Sequence, residues 1–391
     1  MCPSYMVTLE EKHSTRGRAR LLFEMLQGDP IPDGWKSEEV KESLDLCLAC
    51  KGCKGECPVQ VDMAAYKAEF LAHYYEDRLR PVAAYTMGLL HRWAPIAARA
   101  PALANFLTQT PALSAAVKAA AGIAGGRRLP LFARQTFREW FTKRPPQDSE
   151  GRRPVLLWPD TFNNHFHPET ARAAVRVLEA AGFSVQIPDA PLCCGRPLYD
   201  YGMLDLARGL LRAILEVLRE PIGQGVPVVV LEPSCAAVFR DELTNLFPDD
   251  TDARALGGQT FLLTEFLERR ARGWAAGKLP GPAVVQTHCH EKAIRRVSAA
   301  ETFLQGLGLE ISQPNDGCCG MAGAFGFEKN HYALSLQIAE RALAPAVRKA
   351  PPETLVIADG FSCREQIGQL TGRRALHTAE VLEVALESGL P

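Results

Sequence analysis

Apolar positions along the 391-residue chain fall into two regimes. Up to about residue 80 they recur at helical spacing. Leu21, Leu22, Met25 and Leu26 follow a Ser14-Thr15 cap and stop at Gly28, ahead of the turn-rich stretch 29–34. Ser37 opens a second predicted helix with Glu38 and Glu39 in its first turn, where the helix dipole favours acids. Its apolar positions Val40, Leu44 and Leu46 run into a dense group of cysteines, and a third helix is predicted over 63–75. In residues 80–150, Arg, Ala and Pro dominate. The pattern there predicts short amphipathic helices broken by prolines, or a partner-docking or membrane-surface segment, because Trp93 stands among basic residues. Residues 145–151 read as a linker.

From residue 154 the pattern alternates. Val155-Leu156-Leu157-Trp158, Ser184-Val185-Gln186-Ile187 and Val228-Val229-Val230-Leu231 are strand runs, separated by helical stretches over 169–181 and 204–219. The same order returns with strands at 283–286, 309–311 and 354–358 and helices at 291–307 and 332–347. Alternation of this kind predicts parallel βαβ units, and the repeat of the order predicts an internal duplication. The expected fold is therefore α/β: an N-terminal helical domain followed by two small parallel-sheet domains in pseudo-two-fold relation. Expected boundaries are 1–80, a helical connector 81–150, a first repeat 151–277 and a second 278–391.

Composition narrows the function. A hydrophobic fraction of 47% is that of a folded chain. A net charge of −1 removes the electrostatic case for a nucleic-acid partner. No apolar run approaches the ~20 residues that span a bilayer, and the N-terminus has no secretory pattern. Twelve cysteines are then expected in a reducing, cytoplasmic setting, as metal ligands in preference to disulfides.

Cys47, Cys50, Cys53 and Cys57, closed by Pro58, have the C-x2-C-x2-C-x3-C-P spacing of a bacterial [4Fe–4S] motif. Thiolates are the soft ligands that iron in a cluster prefers. The residues from Leu44 to Pro58 resemble the second ferredoxin motif of the iron–sulfur region of flavin-dependent 2-hydroxy acid dehydrogenases, a group that includes the glycolate oxidase iron–sulfur subunit and fused D-lactate or D-2-hydroxyglutarate dehydrogenases. Cys2-Pro3-Ser4-Tyr5 with His13 to Arg18 resembles the tail of the first motif. On that resemblance the chain starts at the last cysteine of motif one, without the preceding three or an upstream flavin domain. In two-cluster ferredoxins the fourth cysteine of each motif ligates the other cluster. Applied here, Cys47, Cys50 and Cys53 are completed by Cys2, and Cys57 belongs to the absent cluster. The rival is closure by Cys57 within its own motif.

Cys318-Cys319-Gly320, with Cys289 before and Cys363 after, lies where strands end and four thiols can gather. The pattern resembles the CCG cysteine-rich domain of heterodisulfide reductase and the same 2-hydroxy acid oxidase subunits. That family pattern ends in C-x2-C, whereas here Gly360 stands three residues before Cys363. Four thiolates suffice for an ordinary cluster, and an arrangement needing five is not supplied. The first repeat keeps Cys193, Cys194 and Cys235, with Asn163 and Asn164 expected at the place of Cys289. Three thiolates there leave a cluster position open or mean no cluster.

His288 and His290 flank Cys289, and His165 and His167 flank the asparagines, as ligands, proton carriers or plain structural residues. The glycine-rich run 320–326 departs from G-x-G-x-x-G and reads as close backbone packing around a cluster. The resemblance implies a component of an oxidoreductase. A partner flavoprotein, or a missing upstream domain holding FAD, oxidises a 2-hydroxy acid, and this chain passes electrons through a [4Fe–4S] cluster in the N-terminal domain and a second in the second repeat. The acceptor is a quinone or a carrier protein, which would place the chain at the inner face of a membrane or in the cytoplasm. With no flavin or nicotinamide fingerprint, no 2-hydroxy acid turnover is expected of it alone. The alternatives are catalysis at the CCG site, such as disulfide or quinone reduction, and a truncated fragment of a fused FAD/iron–sulfur enzyme.

Overall fold

The structure, a computed structural model, describes residues 2–145, 150–294, 299–314 and 317–388. The predicted linker at 145–151 and the middle of the predicted helix 291–307 fall partly outside them. Helix Thr15–Gln27 starts where Ser14 Oγ accepts the Gly17 N–H, and ends at Gly28 in the left-handed conformation. Helix Glu38–Asp45 is capped in the same way by Ser37, and Met63–Tyr74 by Asp62. Their apolar faces meet in one cluster containing Leu22, Met25, Val40, Leu44, Met63 and Phe70.

Seven strands occur among the described residues: β1 (Arg153–Trp158), β2 (Phe183–Gln186), β3 (Val228–Val230), β4 (Thr260–Leu262), β5 (Gly281–Val285), β6 (Leu309–Ser312) and β7 (Leu355–Ile357). They form two parallel sheets, ordered β2-β1-β3-β4 and β6-β5-β7. Side chains alternate between two cores. Val155 and Leu157 of β1 join Ala283 and Val285 of β5 in a core shared by both repeats, while Leu156 and Trp158 face a second core and Val284 a third. Burial on both faces is why these strands read as unbroken apolar runs. Helix Pro168–Ala180 of the first repeat packs on Thr378–Ser388 of the second, so the two sheets share one interior.

Register makes the duplication quantitative. Leu156 pairs with Val228 and Val284 with Val356, a constant offset of 128 residues, and Cys235 and Cys363 keep the same offset. At that offset the counterpart of Cys289 is Thr161. Each opens the short helix that follows its strand, Cys289–Ile294 and Thr161–His165. The expectation that Asn163 and Asn164 hold this place is corrected by two residues.

Two predicted helices are each broken in two. The stretch 204–219 is Leu204–Val217 and then Arg219–Gly223, and 332–347 is Tyr332–Glu340 and then Leu343–Lys349. The cause is the same in both. Pro221 and Pro345 lack an N–H and would collide with the carbonyl four residues earlier, at Val217 and Arg341. The connector forms the helices Val82–Thr86, Leu90–Ala97, Pro101–Gln109 and Pro111–Ala121, followed by Phe137–Lys143. Buried Arg127 fastens it to the second repeat by donating to the Gly326 carbonyl (2.6 Å), Gln366 Oε1 (2.7 Å) and Ser335 Oγ (2.8 Å). Among the described residues no helix is long and apolar enough to cross a membrane.

His331 joins the N-terminal helices to the second repeat. Its Nε2 lies 2.8 Å from Asp45 Oδ2, its Nδ1 3.0 Å from Glu328, and its ring stacks on Phe325. Burial opposes its charge, yet the two carboxylates raise its pKa to about 9. Because this exceeds the ~6.5 of an unfolded histidine, the imidazolium stabilises the fold fully below pH 6.5, and the contribution is lost as pH rises through 9. We expect His331→Gln to be about 1–2 kcal/mol less stable than the parent near pH 6, and the gap to close by pH 10. Denaturant midpoints measured across that range check this, and a gap that is constant with pH would refute it.

Candidate metal centres

The loop after helix Glu38–Asp45 carries the N-terminal thiols. Ala49 and Lys51 adopt positive φ (49° and 58°), which coils the chain tightly between Cys47 and Cys53. A small cavity there is lined by Cys2, Cys47, Cys50 and Cys53. Burial pushes the Cys50 thiol well up, and the neighbouring charges of Cys289, Cys47 and Cys2 add to it. Burial likewise raises Cys53 to about 11, opposed by the Met63 N–H, which donates to its Sγ at 3.4 Å. Cys2 is brought in by Arg18, almost fully buried, which donates to Cys2 Sγ (2.8 Å), Ser4 Oγ (3.0 Å) and the Ser43 carbonyl (2.8 Å). Cys57 is not part of this group. It does not line the cavity, and its thiol is lowered by the backbone N–H groups of Val61, Val59 and Gln60.

The second group lies past the C-terminal ends of β5 and β7. Cys363 hydrogen-bonds Cys319, and Cys318 Sγ accepts the Gly320 N–H at 3.3 Å. Cys289 is raised to about 12 by burial and the charge of Cys319, and Cys318 and Cys363 are raised well above the usual thiol range. Glycine is required around the pair. A Cβ at Gly320 (φ +79°) would meet the Ser335 carbonyl oxygen at 2.3 Å, and one at Gly326 would meet Ser335 Oγ at 2.7 Å. At Gly360, where the CCG pattern has a further cysteine, a Cβ would lie 2.2 Å from the His288 ring. His288 therefore fills the place of a fifth side chain, with Nδ1 4.0 Å from Cys289 Sγ.

The two groups share a wall. Leu48 and Cys50 pack with Cys318 and Phe325, and the charge of Cys50 acts on Cys318 as that of Cys289 acts on Cys50. The Ala49 carbonyl is held from both repeats, by Arg196 Nη2 at 2.9 Å and by His290 Nε2 at 3.0 Å. Burial and the charge of Arg196 keep His290 neutral at ordinary pH. Lys51, with no side-chain exposure, pairs with Asp62 and Asp241 (both 2.7 Å) and Glu242 (3.3 Å). Sequence reasoning did not reach Arg18, Lys51 or Arg196. Arg196 directly follows Cys193-Cys194-Gly195, the one signal that could have drawn attention to it.

The first repeat is different. Cys194 and Cys235 Sγ are 3.0 Å apart, Cys193 hydrogen-bonds Cys194, and Thr161 Oγ1 lies 3.6 Å from Cys193 Sγ. Two buried carboxylates stand beside them. Burial and the charge of Glu232 raise Asp160 to about 6, and burial also raises Glu232. At the 128-residue offset Glu232 is the counterpart of Gly360, and its Oε2 accepts the Phe361 N–H of the second repeat at 2.8 Å. His165 and His167 stay out of the group: Asn164 contacts the first, and Glu169 and Glu365 flank the second. A cavity of about 280 Å³ opens beside these residues, with Cys47, Cys193, Cys194, Cys235, Cys289 and His290 in its wall.

Two sets of four convergent thiols, with Cys50, Cys53, Cys289, Cys318 and Cys363 raised and Cys319 lowered by its hydrogen bond with Cys363, fit a cationic metal–sulfur core, because thiolates gathered so closely need a nearby positive charge. Such a core supplies one-electron chemistry at a potential set by burial and by hydrogen bonds to sulfur. The three thiols and two carboxylates of the first repeat are not a four-thiolate set.

Comparison with known proteins agrees with this chemistry. Residues 1–62 match a 4Fe-4S dicluster domain, and 160–240 and 286–368 each match a cysteine-rich domain. D-2-hydroxyglutarate dehydrogenase of Pantoea ananatis (strain AJ13355) is 27% identical over 98% of this chain and 41% of its own length. The chain thus spans about two fifths of the length of that relative. Lactate utilization protein A of Geobacillus thermodenitrificans (strain NG80-2) is 30% identical over 58% of this chain and 98% of its own length. One subunit of the anaerobic glycerol-3-phosphate dehydrogenase of Escherichia coli (strain K12) is 30% identical over 73% of this chain and 72% of its own. The chain belongs to the family of iron–sulfur proteins that includes this dehydrogenase subunit, with a 4Fe-4S dicluster domain ahead of a duplicated cysteine-rich domain.

Proposed function

We propose that the chain is the electron-transfer component of a flavin-dependent dehydrogenase of the 2-hydroxy acid class. A [4Fe–4S] cluster is held by Cys47, Cys50, Cys53 and Cys2, and a second by Cys289, Cys318, Cys319 and Cys363. FAD resides in a partner subunit or domain that oxidises the hydroxy acid, and electrons leave this chain to a quinone or a carrier protein. The units involved are 1–80, the connector 81–150, and the repeats 151–277 and 278–391. The observation that carries this reading is the shared wall between the two thiol sets, with Cys50 in the field of both. Similarity to D-2-hydroxyglutarate dehydrogenase and to a subunit of a glycerol-3-phosphate dehydrogenase supports a flavoprotein donor.

A second reading is reduction of the acceptor beside the cysteines of the first repeat. The observation favouring it is the cavity whose wall carries cysteines of both repeats. Asp160 next to it, raised to about 6, is a carboxylate able to hold a proton close to neutral pH, and Glu232 beside it is also raised by burial.

Anaerobic purification with iron and sulfide analysis and electron paramagnetic resonance of the reduced protein tests the cluster assignment. We expect about eight irons per chain, with two interacting signals. Cys2→Ser should remove or convert the N-terminal cluster, and Cys57→Ser should leave the iron content unchanged. The reverse pattern would show that Cys57 closes its own motif. Cys363→Ser should abolish the second signal alone.

The isolated, flavin-free chain should give no turnover with D-lactate, glycolate or D-2-hydroxyglutarate, because hydride removal needs a flavin or nicotinamide. Any steady-state oxidation of these acids by flavin-free protein overturns the division of labour proposed here.

A further inference from the structure

From Arg78 to Arg138 the chain contains no Asp or Glu, although acids average more than one in ten elsewhere. Over the same 61 residues it carries nine Lys or Arg. This stretch also displays nine of the eighteen exposed large hydrophobic side chains among the described residues. A coincidence of apolar exposure with one sign of charge is not what a plain solvated surface shows.

The apolar groups lie on helix stripes. Val82 and Tyr85 are three residues apart in Val82–Thr86, as are Trp93 and Ile96 in Leu90–Ala97. Leu103, Phe106 and Leu107 follow i, i+3, i+4 spacing in Pro101–Gln109, which puts them on one face. Trp93 is 53% exposed, Leu103 58% and Phe106 59%. The stripes are tied together. Trp93 Nε1 donates to the Tyr85 carbonyl (3.3 Å), and Asn105 exchanges two hydrogen bonds with the Phe132 backbone, which sets exposed Leu131 beside the third helix. Exposed Arg92, Arg99, Arg128 and Arg134 accompany them. The opposite sides of these elements are not exposed: Met87, Leu90, His91 and Phe132 line the large cavity beside the cysteines.

We infer that this face docks on a bilayer containing anionic phospholipid, with the apolar stripes in the interface and the arginines at the headgroups. Aromatic and aliphatic groups beside basic ones, with no acid to repel a negative surface, are the composition of an interfacial, non-spanning anchor. Charge complementarity selects a lipid surface over an apolar protein groove. The inference stands on the surface alone and survives failure of the electron-transfer reading, because binding is read without turnover.

The test is flotation of the full chain with vesicles of phosphatidylcholine and phosphatidylglycerol, against phosphatidylcholine alone. Binding is expected to the anionic vesicles, weakened but not abolished at about 0.5 M salt, since only the charge part is screened. The exposed triple variant Trp93→Ser, Leu103→Ser, Phe106→Ser should lower partitioning about ten-fold, with unchanged circular dichroism and iron content. The pair Arg92→Glu, Arg99→Glu should weaken binding to anionic vesicles only. Bromine-labelled lipid should quench tryptophan emission, and Trp93→Phe alone should remove most of that quenching, a readout that does not depend on the triple variant folding. Failure of the parent chain to float, or flotation indifferent to all these changes, overturns the inference. So does a dimer in sedimentation velocity that the triple variant dissolves, which would assign the face to a second copy. Loss of a flavoprotein partner in the triple variant without loss of flotation would assign it to that partner, and also overturns it.

Discussion

The carbonyl oxygen of Ala49 accepts from Arg196 of the first repeat and contacts His290 of the second, and the arrangement of the thiols follows from this three-way contact. A loop with two residues at positive φ has little intrinsic preference for its shape. It is held because Arg196 and His290 fix its carbonyl while Lys51 is drawn into the carboxylates of Asp62, Asp241 and Glu242. That grip sets Cys50 against Cys318, and the adjacency of the two thiol sets is its direct result. A charged lysine without solvent contact is tolerable only with such full pairing.

The duplication shows how one scaffold yields two different sites. The strands β1 and β3 keep a 128-residue offset to β5 and β7, as Cys235 does to Cys363, while β2 and β6 are 126 apart. What changes is the chemistry presented at the strand ends. Thr161 replaces Cys289, Asp160 replaces His288, and Glu232 replaces Gly360. The three exchanges are linked. A glycine at 360 leaves room for the His288 ring, and the Glu232 carboxylate instead spans the repeats to cap the helix that begins at Phe361. The first site is thus built to support its neighbour as well as to face the cavity.

The strands, the caps at Ser14 and Ser37 and the gathering of cysteines at strand ends could be read from the sequence, because each depends on residues close in the chain or on a repeated pattern. β4 could not, since three residues carry no periodicity and Thr260–Leu262 is a strand only through pairing with β3. The breaks before Pro221 and Pro345 were open to a local rule that the apolar spacing obscured. The equivalence of Thr161 with Cys289 needed strand register, because a count of flanking residues does not show where a strand ends. Arg18, Lys51 and Arg196 are ordinary surface residues by composition. Their burial depends on tertiary partners as remote as Asp241, which no local pattern records.

The pairing of Lys51 bears on how the molecule matures. Its nearest acid in sequence, Asp62, belongs to the same helical region, but Asp241 and Glu242 emerge from the ribosome about 190 residues later. Until then the cysteine loop carries a lysine only part-neutralised, and the second clamp on its Ala49 carbonyl, His290, follows later still. The N-terminal region can place Cys2 through its own Arg18, Ser4 and Ser43, but the loop from Ala49 to Lys51 stays short of its final hold until the repeats have docked. The order of synthesis thus makes the first thiol loop depend on the first repeat for its charge balance and on both repeats for its shape.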